Sequence, residues 1–297
     1  MNDIAALAGD ALGLMTPILF AALGGLLSEL SGMLNIALEG LIGVGAFGAA
    51  VAAIRTGSLA AGVMVGAATG AVVAWGFGAA TIRLRANGFV TGLAVNLLAA
   101  GITVSVSARL FHTKGVIKVA AGALPVLPLD AAGQPSLLGR IFLGHDALAY
   151  ASWLAVPLVW LLVARTPFGM RLRAAGSNPR ALVTLGKKPE RYKLVAIILS
   201  GLACGLAGAS LSLGLGAYVP NATAGRGWIA LVAVYLGGRN PAGVLAASFV
   251  FALASSLANY AQGFLTVPAD FILALPYIIT LAALVFAAVA KKLKATR

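Results

Sequence analysis

The chain has 297 residues, of which 61% are hydrophobic and only 10% are charged. Soluble domains carry about 25% charged residues, so this composition excludes an ordinary soluble domain, which would lack the charge to cover its surface. The net charge of +13 would suit a nucleic-acid-binding protein, but its distribution along the chain indicates another cause. The single cysteine, Cys204, allows no intrachain disulfide and no cysteine-based metal site.

Uncharged runs long enough to cross a bilayer recur along the whole chain and predict an all-α integral membrane protein, a polytopic bundle of about nine (8–10) helices. One transmembrane domain is expected over residues 1–297. The first ten residues contain no Lys or Arg, so no cleavable signal is expected and the first span itself directs insertion. The spans are predicted at residues 11–28, 33–54, 58–82, 88–110, 147–165, 193–215, 226–238, 242–263 and 269–290.

The seventh span is too short to cross a bilayer alone. Together with residues 218–225 before it, it is predicted to form a broken or re-entrant element. Such an element is tolerated where protein or water covers its backbone.

Lys and Arg are distributed unevenly between the two sides of the predicted bundle. Nine alternating spans place 15 of them on one face and six on the other. Because cytoplasmic loops carry the excess of basic residues, we expect the N-terminus outside and the C-terminus in the cytoplasm. Residues 112–145 are then an outer loop and residues 166–192 a cytoplasmic loop. The positive charge is thus a topology signal, and no nucleic-acid partner is expected.

Motifs for enzymatic chemistry are incomplete. The stretch GVGAFG at residues 43–48 matches a dinucleotide fingerprint but lies within a span, so helix packing is predicted. The stretch TLGKKP lacks the first glycine and the Ser or Thr of a phosphate loop. His112 and His145 are isolated, and a metal site needs more ligands. We therefore expect no catalytic residue, no metal and no cofactor on this chain. Close helix packing is also predicted at Gly62, Gly66 and Gly70 and at Gly201 with Gly205.

Acidic residues are also scarce within the spans. Ion-driven carriers usually keep ionisable groups in the membrane, so we expect the energy for any transport to come from another source. An ion-driven carrier remains open, because unwound backbone can also bind Na⁺.

A polar segment at residues 176–193 interrupts the apolar chain and is predicted to contain a short helix. Ser177 or Asn178 can cap it, and Pro179 suits its first position. Gly186 suits its end. Ala181, Leu182 and Leu185 are predicted to share one apolar face. The helix either lies in the headgroup region or docks on a cytoplasmic partner.

Residues Gly176–Gly186, with the pattern G-x-N-P-x-A-x-x-x-x-G, resemble the coupling loop of permease subunits of bacterial ABC importers. SELSGMLNIALEG at residues 28–40 resembles a signature of the nucleoside and simple-sugar permeases within that group, relatives of the ribose and branched-chain amino-acid permeases. ANGFVTGLAVNLLA and the stretch GRGWIALVAVYLGGRNPAGVLAAS resemble two further segments of the family. The order of the motifs agrees over residues 28–263.

This resemblance implies a permease subunit in a bacterial inner membrane. It would pair with an identical or different permease, sit on two ATPase subunits that hold ATP and Mg²⁺, and receive solute from an extracellular binding protein. The residues implied in ATPase coupling are Asn178, Pro179, Arg180, Ala181, Leu182, Leu185 and Gly186.

Candidates for the substrate path are aromatic and amide side chains, which could stack on and bond to a nucleobase. They are Asn35, Phe89, Thr91, Asn96, Tyr218 and Trp228. Ordinary packing, or a place at the membrane interface for Tyr218 and Trp228, is the alternative. Glu29, Asn35 and Glu39 are expected to hold the first cytoplasmic turn with Ser28 and Ser31. A nucleoside is favoured over a simple sugar because the interior is apolar.

The chain departs from the family pattern at four positions. Arg180 stands where an acidic residue is usual, and Lys187 where an aliphatic residue is usual. Leu30 replaces a common basic residue and Gly88 a common Glu. These changes bear on the ATPase contact and on the substrate, while the order of the motifs is unaffected.

Overall fold

The computed structural model describes residues 2–126 and 141–262, with side chains from residue 6 onward. Its helices are α1 Asn2–Leu30, α2 Leu38–Thr56, α3 Leu59–Gly78, α4 Gly88–Phe111, α5 Ala147–Arg165, α6 Pro167–Ser177, α7 Pro179–Thr184, α8 Pro189–Gly214, α9 Arg226–Leu236 and α10 Pro241–Ala261. A π-helical turn, Ala79–Arg83, extends α3.

Seven helices in the described part of the chain are long and apolar enough to cross a bilayer. They are α1, α2, α3 with its π-helical turn, α4, α5, α8 and α10. The seventh predicted span appears as α9, which has only 11 residues. The prediction of an all-α, multi-pass bundle is therefore confirmed. The span predicted at residues 269–290 lies outside the described residues.

Helix α1 forms the centre of the bundle. It packs against α5, α8, α9 and α10, and 89% of its most apolar 18-residue stretch is buried. A helix that is apolar on all sides is stable when neighbours cover every face. Leu19, Leu23 and Leu26 accordingly lie in the main core, with at most 2% of each exposed.

Helices α2, α3 and α8 approach one another through glycines. A Cβ added to Gly66 would lie 3.0 Å from the Gly45 carbonyl oxygen, and one added to Gly45 only 2.6 Å from the Gly205 Cα. Gly70 in turn lies against the backbone of Gly201. The predicted role of these glycines in helix packing is confirmed, including that of Gly45 in the GVGAFG stretch.

The connection from α8 to α9, residues 215–225, is called the return segment here. It begins with a two-residue strand, β2 (Ala217–Tyr218), which pairs antiparallel with β1 (Ile117–Lys118), a feature that the sequence did not predict. At 1.5 Å per residue, α8 with 26 residues is about 39 Å long and α9 with 11 about 16 Å. Helix α9 therefore begins well inside the bundle, as predicted for a broken element.

The basic end of the bundle is the end at which α1 and α9 finish and residues 166–188 lie. Two contacts define it: Glu29 pairs with Arg239, and Gly32 lies against Gly176. Residues 166–188 here form α6 as well as α7, and α8 starts at Pro189. Helix α6 was not predicted, because its hydrophobic residues are few and its Arg side chains suggested a loop.

Candidate functional site

Helix α7 lies at the basic end and is built by its caps. The Asn178 side chain accepts a hydrogen bond from the Ala181 N–H at 3.3 Å, so the cap is Asn178 and not Ser177. Pro179 takes the first helical position, where no N–H is needed. After the helix, Gly186 adopts φ +66°, and the Lys187 N–H bonds to the Leu182 carbonyl at 2.9 Å. This closure ends the helix after fewer than two turns.

Ala181, Leu182 and Leu185 do not share one apolar face, contrary to the prediction from the sequence. Leu182 is buried, with 2% exposed, and faces the rest of the chain. Val183 and Leu185 are 62% and 73% exposed. Leu182 therefore anchors α7, whereas Val183, Leu185 and the exposed Arg180 are free to meet another surface. The spacing predicted the helix correctly but could not show which side the protein itself would cover.

Exposed basic side chains lie on either side of this apolar pair along the chain. The exposed cations of residues 166–192 are Arg171, Arg173, Arg180, Lys187, Lys188 and Arg191. The surface at α7 thus combines two exposed aliphatic side chains with a rim of positive charge.

A cavity of about 260 Å³ lies deeper in the bundle, between the start of α2, one face of α4 and the return segment. It is called the α2–α4 cavity. Its lining is largely small and apolar, with a few polar groups. These polar residues are Glu39, Asn96, Thr103, Tyr218, Asn221 and Thr223.

Glu39 joins two helix starts at the wall of this cavity. It lies in the first turn of α2, and its carboxylate accepts hydrogen bonds from the Gly225 N–H at 2.8 Å and the Gly227 N–H at 2.7 Å. A carboxylate stabilises the positive end of a helix, so Glu39 caps α9 across the cavity wall. The expectation that Glu39 holds the first turn at the basic end is therefore wrong. Glu39 lies in the stretch that resembles the family signature, but its bonding partner Gly227 lies 188 residues away in the chain, so the sequence could not show the contact.

Two asparagines shape the backbone beside the cavity. Asn96 donates to the Ile36 carbonyl at 2.9 Å and accepts from the Gly40 N–H at 2.8 Å. Asn35 is buried, donates to the Ser200 hydroxyl at 2.9 Å and accepts from the Ala37 N–H at 3.1 Å. Both hold the non-helical chain between α1 and α2. Of the two, only Asn96 lines the cavity.

The other substrate-path candidates are dispersed. Tyr218 lines the α2–α4 cavity and packs edge-to-face on Phe47, with 5.1 Å between the ring centroids. Phe89 and Thr91 lie in the first turn of α4, near the basic end, and Trp228 is 40% exposed on α9. None of these three lines the cavity. The candidates chosen from the sequence did not include Thr103, Asn221 and Thr223, which also line the cavity. No local sequence pattern distinguishes these three from other polar residues in or beside a span.

The chain was compared with known protein sequences, solved structures and protein families. Two relatives match almost end to end. The nucleoside ABC transporter permease protein NupC of Lactococcus lactis subsp. cremoris is 30% identical, over 95% of this chain and 92% of the relative. The guanosine ABC transporter permease protein NupQ of Bacillus subtilis is 33% identical, over 90% of this chain and 87% of the relative. 

A solved structure has a related fold. It is described as a metal-chelate type ABC transporter in an inward-facing conformation, with a TM-score of 0.52 and 17% identity over 94% of this chain and 86% of that one. At this identity the similarity concerns the fold alone. The family described as branched-chain amino acid transport system / permease component matches residues 7–288. Because that match spans nearly the whole chain, this multi-pass membrane protein belongs to the permease components of that family.

Proposed function

We propose that this chain forms the translocation path of an ATP-driven importer of nucleosides. The observation that carries the proposal is the α2–α4 cavity, in a chain whose full-length relatives include permeases for nucleosides and guanosine. The cavity, at about 260 Å³, is slightly smaller than the about 300–1,000 Å³ usual for small-molecule pockets, so it suits only a small solute. Its hydroxyl and amide groups can bond to the ribose and to the base edges, while Tyr218 offers an aromatic ring.

Energy would come from ATPase subunits that dock on α7, and ATP and Mg²⁺ would be held there and not on this chain. The exposed Val183 and Leu185 would enter an apolar slot on the ATPase, and the nearby cations favour carboxylates around the rim of that slot. Arg180 fits this charge pattern, although the family commonly places an acid there. The chain itself would catalyse no reaction.

The remaining partners follow from the same proposal. The basic end would face the cytoplasm of a bacterial inner membrane, with the N-terminus outside, because cytoplasmic loops collect Lys and Arg. A second permease, identical or different, and membrane lipid would cover exposed apolar faces such as that of α4, where Leu97 and Leu98 are 75% and 59% exposed. An extracellular binding protein would deliver the solute.

Uptake of labelled guanosine and uridine, by cells with and without this subunit, tests the proposal. We expect uptake to require the subunit and to be blocked by unlabelled nucleosides. Block by ribose would assign the chain to simple sugars, which the cavity's hydroxyl and amide groups also suit. Uptake that survives loss of ATP but not of the ion gradient would indicate an ion-driven carrier and contradict the proposal.

The cavity is tested by conservative variants. Tyr218→Phe and Thr223→Val each remove the hydroxyl of a residue that lines the cavity, and we expect each to raise the KM for uptake. The control is Thr91→Val, at the basic end, whose hydroxyl donates to the carbonyl of Asn87, the residue just before α4. Equal effects of all three variants would show that the cavity does not receive the solute.

A further inference from the structure

The end of α1 and the residues just after it contact two other parts of the basic end. The Glu29 carboxylate lies 2.8 Å from the Arg239 guanidinium, in the turn between α9 and α10. The Glu29 side chain is 12% exposed and that of Arg239 56% exposed. The ion pair thus lies at the edge of the packed interior and ties the end of α1 to the end of α9.

The second contact of these residues is with α6, immediately before α7. Gly32 has φ +78°, and a Cβ added to it would lie 2.9 Å from the Gly176 Cα. A Cβ on Gly176 would lie 2.8 Å from the Gly32 nitrogen. The two backbones are in contact with no flexible side chain between them, so a shift of α6 and α7 displaces the end of α1 directly.

Helix α9 connects the basic end to the α2–α4 cavity. Its first turn is bonded to Glu39 through the N–H groups of Gly225 and Gly227. At its other end, Gly237 lies against the backbone of Gly243, which fixes the corner between α9 and α10. Helix α9 is therefore short, held at both ends, and continuous with the return segment that walls the cavity.

We propose that Glu29 and Arg239 are positioning residues that pass the motion of α6 and α7 to the α2–α4 cavity, with α9 as the rigid link and Glu39 as its fixed end. This inference rests on the proposed function, because α7 must be where an ATPase acts.

The two ends of the link differ in strength. Glu39 makes two charge-assisted hydrogen bonds to a helix N-terminus beside the cavity, and such bonds are short and strong. The Glu29–Arg239 pair is partly exposed, and such pairs contribute little to stability. Loss of the pair should therefore leave the protein folded while weakening the tie between the ends of α1 and α9. This makes the pair a test of coupling and not of folding.

The experiment uses the complete transporter in lipid nanodiscs with a Thr223→Cys reporter in the cavity. A small maleimide measures the reporter's reactivity with and without ATP plus vanadate; the native Cys204 is fully buried and stays unlabelled. With the pair intact we expect nucleotide to change the labelling rate about fivefold or more, as for a shift between two conformations. Glu29→Gln or Arg239→Gln should reduce that change to less than about twofold.

Two further variants separate coupling from structure. The exchange of Glu29→Lys with Arg239→Glu rebuilds the ion pair and should restore the nucleotide effect. Arg85→Gln is the matched control, because Arg85 is also exposed, near the end of α3 at the basic end, and has φ +56° against +57° for Arg239. We expect it to behave as the unmodified protein. Basal ATPase activity, measured in every variant, should stay within about twofold.

The outcomes are distinct. Single variants that keep the full nucleotide effect, or an exchange that fails to restore it, would overturn the positioning role and leave the proposed function intact. A nucleotide effect, with no nucleoside uptake by the transporter that keeps Thr223, would refute the substrate, while labelling would still decide the role of the pair. If nucleotide does not change the labelling rate in the complex with the ion pair intact, both proposals are overturned: that α9 transmits motion to the cavity, and that ATP drives this transporter.

Discussion

At the scale of single residues, polar side chains within the apolar bundle are used mainly on the protein's own backbone. Asn35, Asn96 and Glu39 all bond to main-chain groups that no helix satisfies. Unpaired backbone groups are costly in a membrane, so these side chains make the break between α1 and α2 and the start of α9 possible. Their chemistry alone would have suited a substrate equally well.

Asn35→Ala should lower stability without altering substrate affinity. The change leaves the Ala37 N–H unpaired in the interior and removes the donor to the Ser200 hydroxyl, and an unpaired buried group costs about 1–3 kcal/mol. The midpoint of thermal unfolding in detergent should fall, while the KM for uptake in cells stays constant. A raised KM with unchanged stability would place Asn35 in the solute path instead.

Gly227→Ala should be much more harmful than Gly76→Ala. A Cβ at residue 227 would collide with the backbone of Glu39, whereas one at residue 76 meets nothing within 4 Å. Both glycines lie in helices, so helix propensity favours alanine in each. Overpacking costs about 1–3 kcal/mol, and unfolding in detergent should reveal a lower midpoint for Gly227→Ala only. Equal unfolding midpoints for the two variants would mean that α2 and α9 can move apart to accommodate the added methyl group at no cost.

At the scale of elements, α7 shows how a short pattern can predict a helix but not its orientation. Its caps, Asn178 and Gly186, are local and were predictable. Whether Leu182 or Val183 points outward depends on how α7 leaves α6, and that is set by the packing of Leu172 and Ala175, both fully buried.

Val183→Asp with Leu185→Asp should uncouple ATP hydrolysis from transport and leave the permease in the membrane. Both side chains are exposed, so a charge there disturbs only a partner. Leu182→Asp should instead reduce the amount of folded protein, since an unpaired charge would be buried. Membrane abundance and uptake, measured together, separate the two results. Normal uptake by the double variant would remove α7 from the ATPase contact.

At the scale of the whole molecule, the uneven distribution of Lys and Arg predicts the orientation. Lys114 lies between α4 and β1, and Lys187 follows α7; both are exposed. In intact cells, a membrane-impermeant maleimide should label Lys114→Cys, and it should label Lys187→Cys only after permeabilisation. The buried Cys204 provides no background. The reverse pattern would invert the proposed topology.

The sequence by itself determined the class of protein, the succession of spans, the break before α9 and the capped helix α7. These features follow from apolar run length, charge placement and capping, which are properties of neighbouring residues. Only the tertiary structure decided that Glu39 caps α9, that Glu29 pairs with Arg239, and that Tyr218 lines a cavity while Phe89 does not. Each of these depends on which helix faces lie together. In a chain so uniformly apolar, no amphipathic pattern distinguishes one face from another, so contacts between distant residues emerge only from packing.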